Sequence, residues 1–309
     1  MSISINKHNR VLTLAVPTYN RKNAIVSNAS KVIGQLDKYD VNYLVIDNAS
    51  TDGTYDELKK VFSVSDIDNI KIKKNPSNLG YLGNIIEILR NCETEYVLFS
   101  SDEDAFNLEE IPGLLVFLKS KKPMFVSCAV GRNGRLRRGS RTIKKVGAHN
   151  VFKCTPYVSG LAFRCDELTE IIEYILSKSS NKMVHFYPHV LLAVISLMRG
   201  DCYLYNKKLV DMVFELETMA DNYTSIDSRF EQMLGFNDFI DGLEVFDFFN
   251  KNLSKKMKNY NVKRFFYFIR GAVKDHDDGY LRAAFDDRLC IYYFKYLIKR
   301  PFLFLKRFF

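Results

Sequence analysis

The 309-residue sequence has no tryptophan, so its aromatic content rests on 24 Phe and 18 Tyr. Its six cysteines (Cys92, Cys128, Cys154, Cys165, Cys202 and Cys290) include no CxxC pair. That spacing excludes the common zinc-thiolate and dithiol motifs and points to free thiols in a reducing cytosol. No apolar stretch approaches the ~20 residues that cross a bilayer; the longest is Val190–Met198. The opening MSISINKHNR is polar and lacks the apolar core of a secretory signal. There is no internal repeat, no low-complexity segment and no nucleic-acid-binding motif. These absences leave a cytoplasmic globular protein as the expectation, either one large domain or a domain with an appendage.

Negative charge is missing from two segments, although the chain as a whole carries a net charge of +9. Between Arg132 and Lys145 stand Arg135, Arg137, Arg138, Arg141 and Lys144, with no acid among them. From Lys295 onward stand Lys299, Arg300, Lys306 and Arg307, again with no acid. Such excess favours anionic partners, whether phosphate-bearing substrates, acidic lipid headgroups or nucleic acid, and without a motif nucleic acid is the least supported. With Gly131, Gly134, Gly139 and Gly147 around it, the first segment reads as a mobile loop. It either grips a pyrophosphate or is solvated charge. In the tail, KYLIKRPFLFLKRFF, cations alternate with Phe302, Leu303, Phe304, Leu305, Phe308 and Phe309. That pairing suits an interfacial anchor on an anionic membrane. Packing of the same aromatics on neighbouring helices or in a homo-oligomer interface is the other reading.

The hydrophobic pattern alternates strands with helices. Val11–Pro17, Tyr43–Ile46, Ile70–Lys73 and Tyr96–Phe99 read as strands, and helical spacing follows each of the first three. This order predicts an α/β fold with a parallel, doubly wound sheet flanked by helices. Ligands of such sheets sit at the carboxyl ends of the strands. Three polar clusters fall there: Thr18–Arg21, Asp47–Thr54 and Asp102–Asp104. Beyond residue 110 the pattern predicts a helix at Leu114–Leu118 and a strand at Met124–Val130. A strand-like piece at Tyr157–Phe163 and a helix over Asp166–Ser177 follow. Val190–Arg199 reads as a helix, and Cys202–Tyr205 with Val210–Phe214 as a closing hairpin. From about Ser225 the spacing is helical, in three segments that reach Tyr296.

The stretch EYVLFSSDEDAF (Glu95–Phe106) carries the sharpest chemistry. Three consecutive acids, Asp102, Glu103 and Asp104, end a strand whose other residues are apolar. Like charges at a partly buried site are costly unless a cation or a proton offsets them. Hard oxygen ligands suit Mg²⁺ or Mn²⁺, and those ions suit nucleotide phosphates. A solvated acidic turn is the plainer alternative.

Four segments in order resemble the family 2 glycosyltransferases of the GT-A fold: VPTYNR (Val16–Arg21), DNASTDGT (Asp47–Thr54), NLGYLGN (Asn78–Asn84) and SDED (Ser101–Asp104). VSG (Val158–Gly160) extends the likeness weakly. The SSDED form is most similar to branches that build bacterial O-antigen and capsular polysaccharides. The resemblance implies a nucleotide-sugar donor, a divalent cation, a glycan or lipid-linked acceptor, and inversion at the anomeric carbon. It implies a GT-A domain over residues 1–220, with a nucleotide half at about 10–110 and an acceptor half at about 111–220. Residues 221–309 would form a C-terminal helical appendage. Pro17, Thr18 and Tyr19 would line the base pocket. Asp47 would contact base or ribose, with Asn48 and Ser50 shaping its loop. Asn78 and Gly83 would bring backbone close to the nucleotide. Asp102 and Asp104 would hold ribose and metal, Asp104 being the more direct ligand. The basic aromatic tail makes peripheral placement on the inner face of the cell membrane the expectation.

The sequence departs from the family at the general base. Where many members carry an acidic pair, this chain reads Phe186-Tyr187-Pro188-His189-Val190. His189 stands at about the expected position, and imidazole is a competent base near neutral pH. A packed or capping histidine is the alternative, and His185 is a weaker candidate. Two other functions remain open: a sugar-phosphate nucleotidyltransferase, and a non-catalytic sugar- or partner-binding protein on a degenerate transferase fold.

Overall fold

The computed structural model describes residues 10–63, 68–132, 135–138, 142–212 and 226–275. The chain divides into two units: residues 1–215 with 246–249, and residues 216–245 with 250–309. The first is an α/β unit and the described part of the second is helical. The third predicted helix and the basic aromatic tail lie outside the described residues.

The first half of the α/β unit follows the sequence pattern closely. Strands β1 (Leu12–Thr18), β2 (Asn42–Asp47), β3 (Ile70–Lys74) and β4 (Tyr96–Phe99) form parallel pairs in the order β3-β2-β1-β4. Helices α1 (Lys22–Ile33), α2 (Thr54–Ser63) and α3 (Gly80–Asn91) make the crossovers. Strand β4 is wholly buried, as expected of a central strand covered on both faces. Strand β3 alternates Ile with Lys because it is the last strand on its side of the sheet. Beneath β1, β2 and β4, a core of Leu14, Val16, Tyr43, Val45 and Leu98 meets Ile25, Ala29 and Val32 of α1.

Past β4 the sheet turns mixed. Strand β5 (Ala105–Phe106) leads to α4 (Ile111–Lys121), which ends at Lys122 in the left-handed region (φ 44°). Strand β6 (Phe125–Arg132) runs parallel to the later β10 (Cys202–Met212). Strand β9 (Leu161–Arg164) lies antiparallel between β4 and β6 and closes the sheet order β3-β2-β1-β4-β9-β6-β10-β5.

Four sequence expectations change in this half. The predicted hairpin at Cys202–Phe214 is one strand over its described length. A register irregularity between Leu204 and Lys208 absorbs the polar break at Asn206-Lys207-Lys208 without a turn. The basic segment is not wholly a loop. Arg135–Arg138 form β7, antiparallel to β6, and Lys144–Lys145 form β8, antiparallel to β10. Lys144 and Lys145 are exposed, as suits a peripheral strand. The piece predicted from Tyr157 becomes strand only at Leu161, because Gly160 holds a positive φ of 75° that extended backbone cannot accommodate.

The helix predicted over Asp166–Ser177 is split into α5 (Asp166–Thr169) and α6 (Ile172–Ser177). Leu168, Ile172 and Ile175 nevertheless share the buried side. Two further helices follow, α7 (Lys182–Phe186) and α8 (Pro188–Arg199). Asn181 caps α7, its side chain accepting from Met183 N at 3.0 Å. Pro188 stands in the first turn of α8, where no hydrogen bond is lost.

In the second unit α9 (Ile226–Gly242) and α10 (Lys251–Asp275) pack together. Asn261 Nδ2 donates to Met233 O at 3.0 Å and Asn237 Oδ1 at 3.1 Å, and the Phe230 and Phe265 rings lie 5.6 Å apart.

Candidate nucleotide-binding and catalytic site

Three parallel strands deliver their loops to one edge of the sheet. Strand β1 ends at Thr18, β2 at Asp47, and β4 leads into Ser100–Asp104. The three loops are bonded to one another. Thr18 Oγ1 donates to Asp102 Oδ2 at 2.8 Å, and Asn48 N donates to Thr18 O at 2.9 Å. Asn20, in the left-handed region at φ 52°, donates from its amide to Ser50 Oγ at 2.8 Å and accepts from Thr51 N at 2.9 Å. Asparagine tolerates that conformation better than most residues.

Asp47 is completely buried. Its Oδ2 accepts from Ser50 N at 3.1 Å, while its Oδ1 has no hydrogen-bond partner among the described residues. A buried acceptor of this kind costs about 1–3 kcal/mol unless a ligand or water supplies a donor.

Behind Asp47 stands a lattice of asparagines. Asn48 Nδ2 donates to Asn78 Oδ1 at 2.8 Å, and Asn48 Oδ1 accepts from Asn75 Nδ2 and Leu79 N, each at 3.0 Å. Asn84 Oδ1 accepts from Asn75 Nδ2 at 3.2 Å, and Asn84 Nδ2 reaches back to Ile46 O at 3.2 Å. These bonds fix the start of α3 against β2. Gly83 lies in the first turn of α3. A Cβ there would lie 2.5 Å from Leu79 Cβ, so its close approach within the structure is to Leu79.

The acidic loop is held from two sides. Asn28 of α1, itself buried, donates through Nδ2 to Asp102 O at 3.0 Å and Asp104 O at 3.1 Å. Ser159 of the VSG turn accepts from Ser101 N at 2.9 Å and donates to Asp104 Oδ2 at 2.5 Å. Glu103 turns to Arg21, with Oε1 2.9 Å from Nε.

Burial pushes the Asp102 carboxyl up to about 6. The Glu103 charge adds to this, and the Thr18 hydroxyl, Arg21 and the Tyr19 amide oppose it. Among the described residues no group of three or more His, Cys, Asp or Glu side chains is gathered to hold a metal ion. Two carboxylates fit a hard cation only if substrate oxygens complete its shell.

His189, in the first turn of α8, is buried. Its ring meets Tyr81 and Tyr187 edge-on at 6.3 and 6.2 Å, and Tyr81 Oη lies 3.5 Å from its Nδ1. Tyr81 therefore links the start of α3 to the start of α8. By area Tyr81 is 37% exposed, while its phenol group is buried. That burial, followed by the negative charge of Asp102, raises its pKa.

Pro17, Thr18, Asp47, Asn48, Ser50, Asn78, Asp102 and Asp104 thus share one edge, with Tyr19 41% exposed on the same turn. Sequence reasoning gave no role to Asn28 or Tyr81 and singled Ser159 out only as part of VSG. Asn28 has a sequence signal: it interrupts the apolar stripe Ile25, Ala29, Val32 at helical spacing. Tyr81 lies inside NLGYLGN.

A mixed α/β sheet carrying this edge defines a GT-A-type nucleotide-binding scaffold. The family model for glycosyl transferase family 2 matches residues 13–165, and through that segment the chain belongs to the family. The fold is similar to that of S. aureus TarS residues 1–349, with a TM-score of 0.60 and 16% identity over 84% of this chain and 73% of that one. The same protein in complex with UDP-GlcNAc gives a TM-score of 0.60 and 18% identity, covering 82% and 72%. A mannosyltransferase, PcManGT from Pyrobaculum calidifontis, in complex with GDP-Man and Mn²⁺, gives 0.51 and 12% over 95% and 82%. A comparison with curated proteins found no match.

Proposed function

We propose that this chain is an inverting glycosyltransferase that moves a sugar from a nucleoside-diphosphate sugar to a glycan or lipid-linked acceptor in bacterial surface-polysaccharide synthesis. The observation that carries the reading is Asp47, whose buried Oδ1 meets no donor among the described residues, beside loops tied to two further carboxylates. A nucleobase N–H supplies such a donor. Pro17, Thr18 and Tyr19 line the same pocket, and Asn48, Ser50, Asn78 and Gly83 set its backbone.

Asp104 and Asp102 would hold Mg²⁺ or Mn²⁺ together with the diphosphate, and Asp102 also reaches the ribose. Bound there, such a cation would supply charge stabilisation for the departing phosphate. The rest of the work falls to protein groups. Ser159 and Asn28 fix the acidic loop, and Thr18 orients Asp102. His189, oriented by Tyr81, takes the proton from the acceptor hydroxyl as it attacks the anomeric carbon. Arg132–Lys145 offers positive charge for a pyrophosphate-bearing acceptor. The appendage 221–309 and its basic aromatic tail would hold the protein peripherally at the inner face of an anionic membrane, where a lipid-linked acceptor resides. Among the described residues no helix is long and apolar enough to cross a membrane.

The test is incubation of the purified chain with UDP-, GDP- and dTDP-sugars, with and without Mn²⁺. Release of nucleoside diphosphate supports transfer. Pyrophosphate release from a nucleoside triphosphate plus a sugar phosphate would point to a nucleotidyltransferase instead. Binding without turnover would leave a non-catalytic sugar-binding protein, the reading favoured by an imidazole where relatives carry carboxylates.

A further inference from the structure

The cysteines carry no motif in sequence, yet the fold brings two of them together. Cys92 follows α3, and Cys165 follows β9. Strands β4 and β9 are antiparallel, with Tyr96 opposite Arg164, and Cys165 N donates to Glu95 O at 2.8 Å. Cys92 and Cys165 therefore meet at the end of this strand pair remote from Ser101 and Ser159. Their sulfurs lie 3.0 Å apart, Cys165 Sγ–H donating to Cys92 Sγ. A disulfide needs about 2.05 Å, so closing the bond takes roughly 1 Å of approach.

The two sulfurs are not equivalent. Cys165 is 3% exposed, whereas Cys92 is part-exposed. The Cys165 S–H hydrogen bond draws the Cys92 thiol down to about 6, burial opposes it, and the hydroxyls of Thr94 and Thr13 help. Thr94 Oγ1 lies 3.5 Å from Cys92 Sγ and 2.7 Å from Thr13 Oγ1. The same contact raises Cys165 well above the usual thiol range. Cys202, by contrast, is buried and pushed upward by that burial.

We propose that Cys92 and Cys165 form an oxidation site, in which Cys92 is the peroxide-reactive sulfur and Cys165 resolves it into an intrachain disulfide. The sequence of bonds balances with hydrogen peroxide as oxidant. The Cys92 thiolate attacks one peroxide oxygen, the O–O bond breaks, and the departing hydroxide takes a proton to become water. Cys92 is then a sulfenic acid. Cys165 Sγ attacks the Cys92 sulfur, the S–O bond breaks, and the hydroxide released combines with the Cys165 thiol proton as a second water. Two thiols lose two electrons to one peroxide. The part-exposure of Cys92 as a residue and the proximity of Cys165 are the features expected of a reactive and a resolving cysteine.

The site is independent of the glycosyltransfer reading, and so is its test. The folded full-length chain is treated at neutral pH with equimolar hydrogen peroxide, then alkylated, digested without reduction and examined by mass spectrometry. The expected result is a Cys92–Cys165 linked peptide, with loss of alkylation at these two positions ahead of Cys128, Cys154 and Cys202, and recovery of both after dithiothreitol. In Cys165→Ser, dimedone should label Cys92. In Cys92→Ser, dimedone should not label Cys165. Full alkylation of both cysteines while another one oxidises would overturn the proposal. Linkage of either to a different cysteine would do the same. Peptide mapping of the unmodified chain decides the question even if a variant does not fold.

Discussion

Ser159 Oγ sits between the two ends of the acidic loop, accepting from Ser101 N at 2.9 Å and donating to Asp104 Oδ2 at 2.5 Å. A hydroxyl so placed fixes the orientation of the Asp104 carboxylate. Ser159→Ala removes both bonds without adding bulk. Groups that orient a metal ligand typically matter about 10–100-fold in affinity or rate. We expect a fall of that size in Mn²⁺-dependent turnover, with the far-UV spectrum unchanged. Ser159→Thr, which keeps the hydroxyl, should recover part of it. Equal rates for Ser159→Ala and the parent would detach Ser159 from the site.

Asp102 ties the site to pH. Its carboxyl is pushed from 3.8 up to about 6, chiefly by burial. Between those values the folded state holds a proton that the unfolded chain has released, so stability falls as pH rises through about 6. Above that, the cost persists at an order of magnitude of ~2–3 kcal/mol. Asp102→Asn removes the charge and should melt higher than the parent at about pH 8, with the difference vanishing near pH 4. Donor binding in Mn²⁺ needs the ionised form and should weaken below about pH 6. A melting temperature at pH 8 no higher than that of the parent would contradict the burial argument.

The first half of the α/β unit was legible because its signals are local. Buried parallel strands are continuous apolar runs, and the polar clusters fall at their ends, so β1 to β4 and the loops at Thr18, Asp47 and Asp102 could be placed from spacing alone. The second half of that unit was not, because its organisation is non-local. Strand β10 lies parallel to β6, some eighty residues earlier in the chain, and a register irregularity hides its continuity. The basic segment looked like a loop because Lys and Arg mask a strand at the periphery of a sheet. Asn28 and Tyr81 act through contacts 74 and 108 residues away, which no window of sequence contains. The Cys92–Cys165 approach, across 73 residues, was hidden in the same way.

Gly83 separates packing from ligand contact. A Cβ there would meet Leu79 Cβ at 2.5 Å, and Leu79 cannot rotate its Cβ away. Gly83→Ala must therefore shift the start of α3, at a cost of about 1–3 kcal/mol by the usual scale of overpacking. Leu79→Gly in the same chain removes the opposing atom and should restore much of the melting temperature. If the double variant melts no higher than Gly83→Ala alone, the contact with Leu79 is not the reason for glycine at this position.

His189 is the assignment on which the catalytic reading turns. It is buried between Tyr81 and Tyr187, so alanine would also leave a void. Glutamine approximates the shape and hydrogen bonds but is no base. Removal of a general base costs about 10²–10⁴-fold in rate. His189→Gln should therefore lower kcat by that range while the donor KM changes little, because the donor loops lie on β1, β2 and β4. Tyr81→Phe keeps the ring against His189 and removes the hydroxyl 3.5 Å from Nδ1. It should lower kcat less, again with KM nearly constant, since it acts through imidazole orientation. A His189→Gln enzyme with parental kcat would move the base elsewhere in the acceptor half. A change confined to KM would make His189 part of the binding surface.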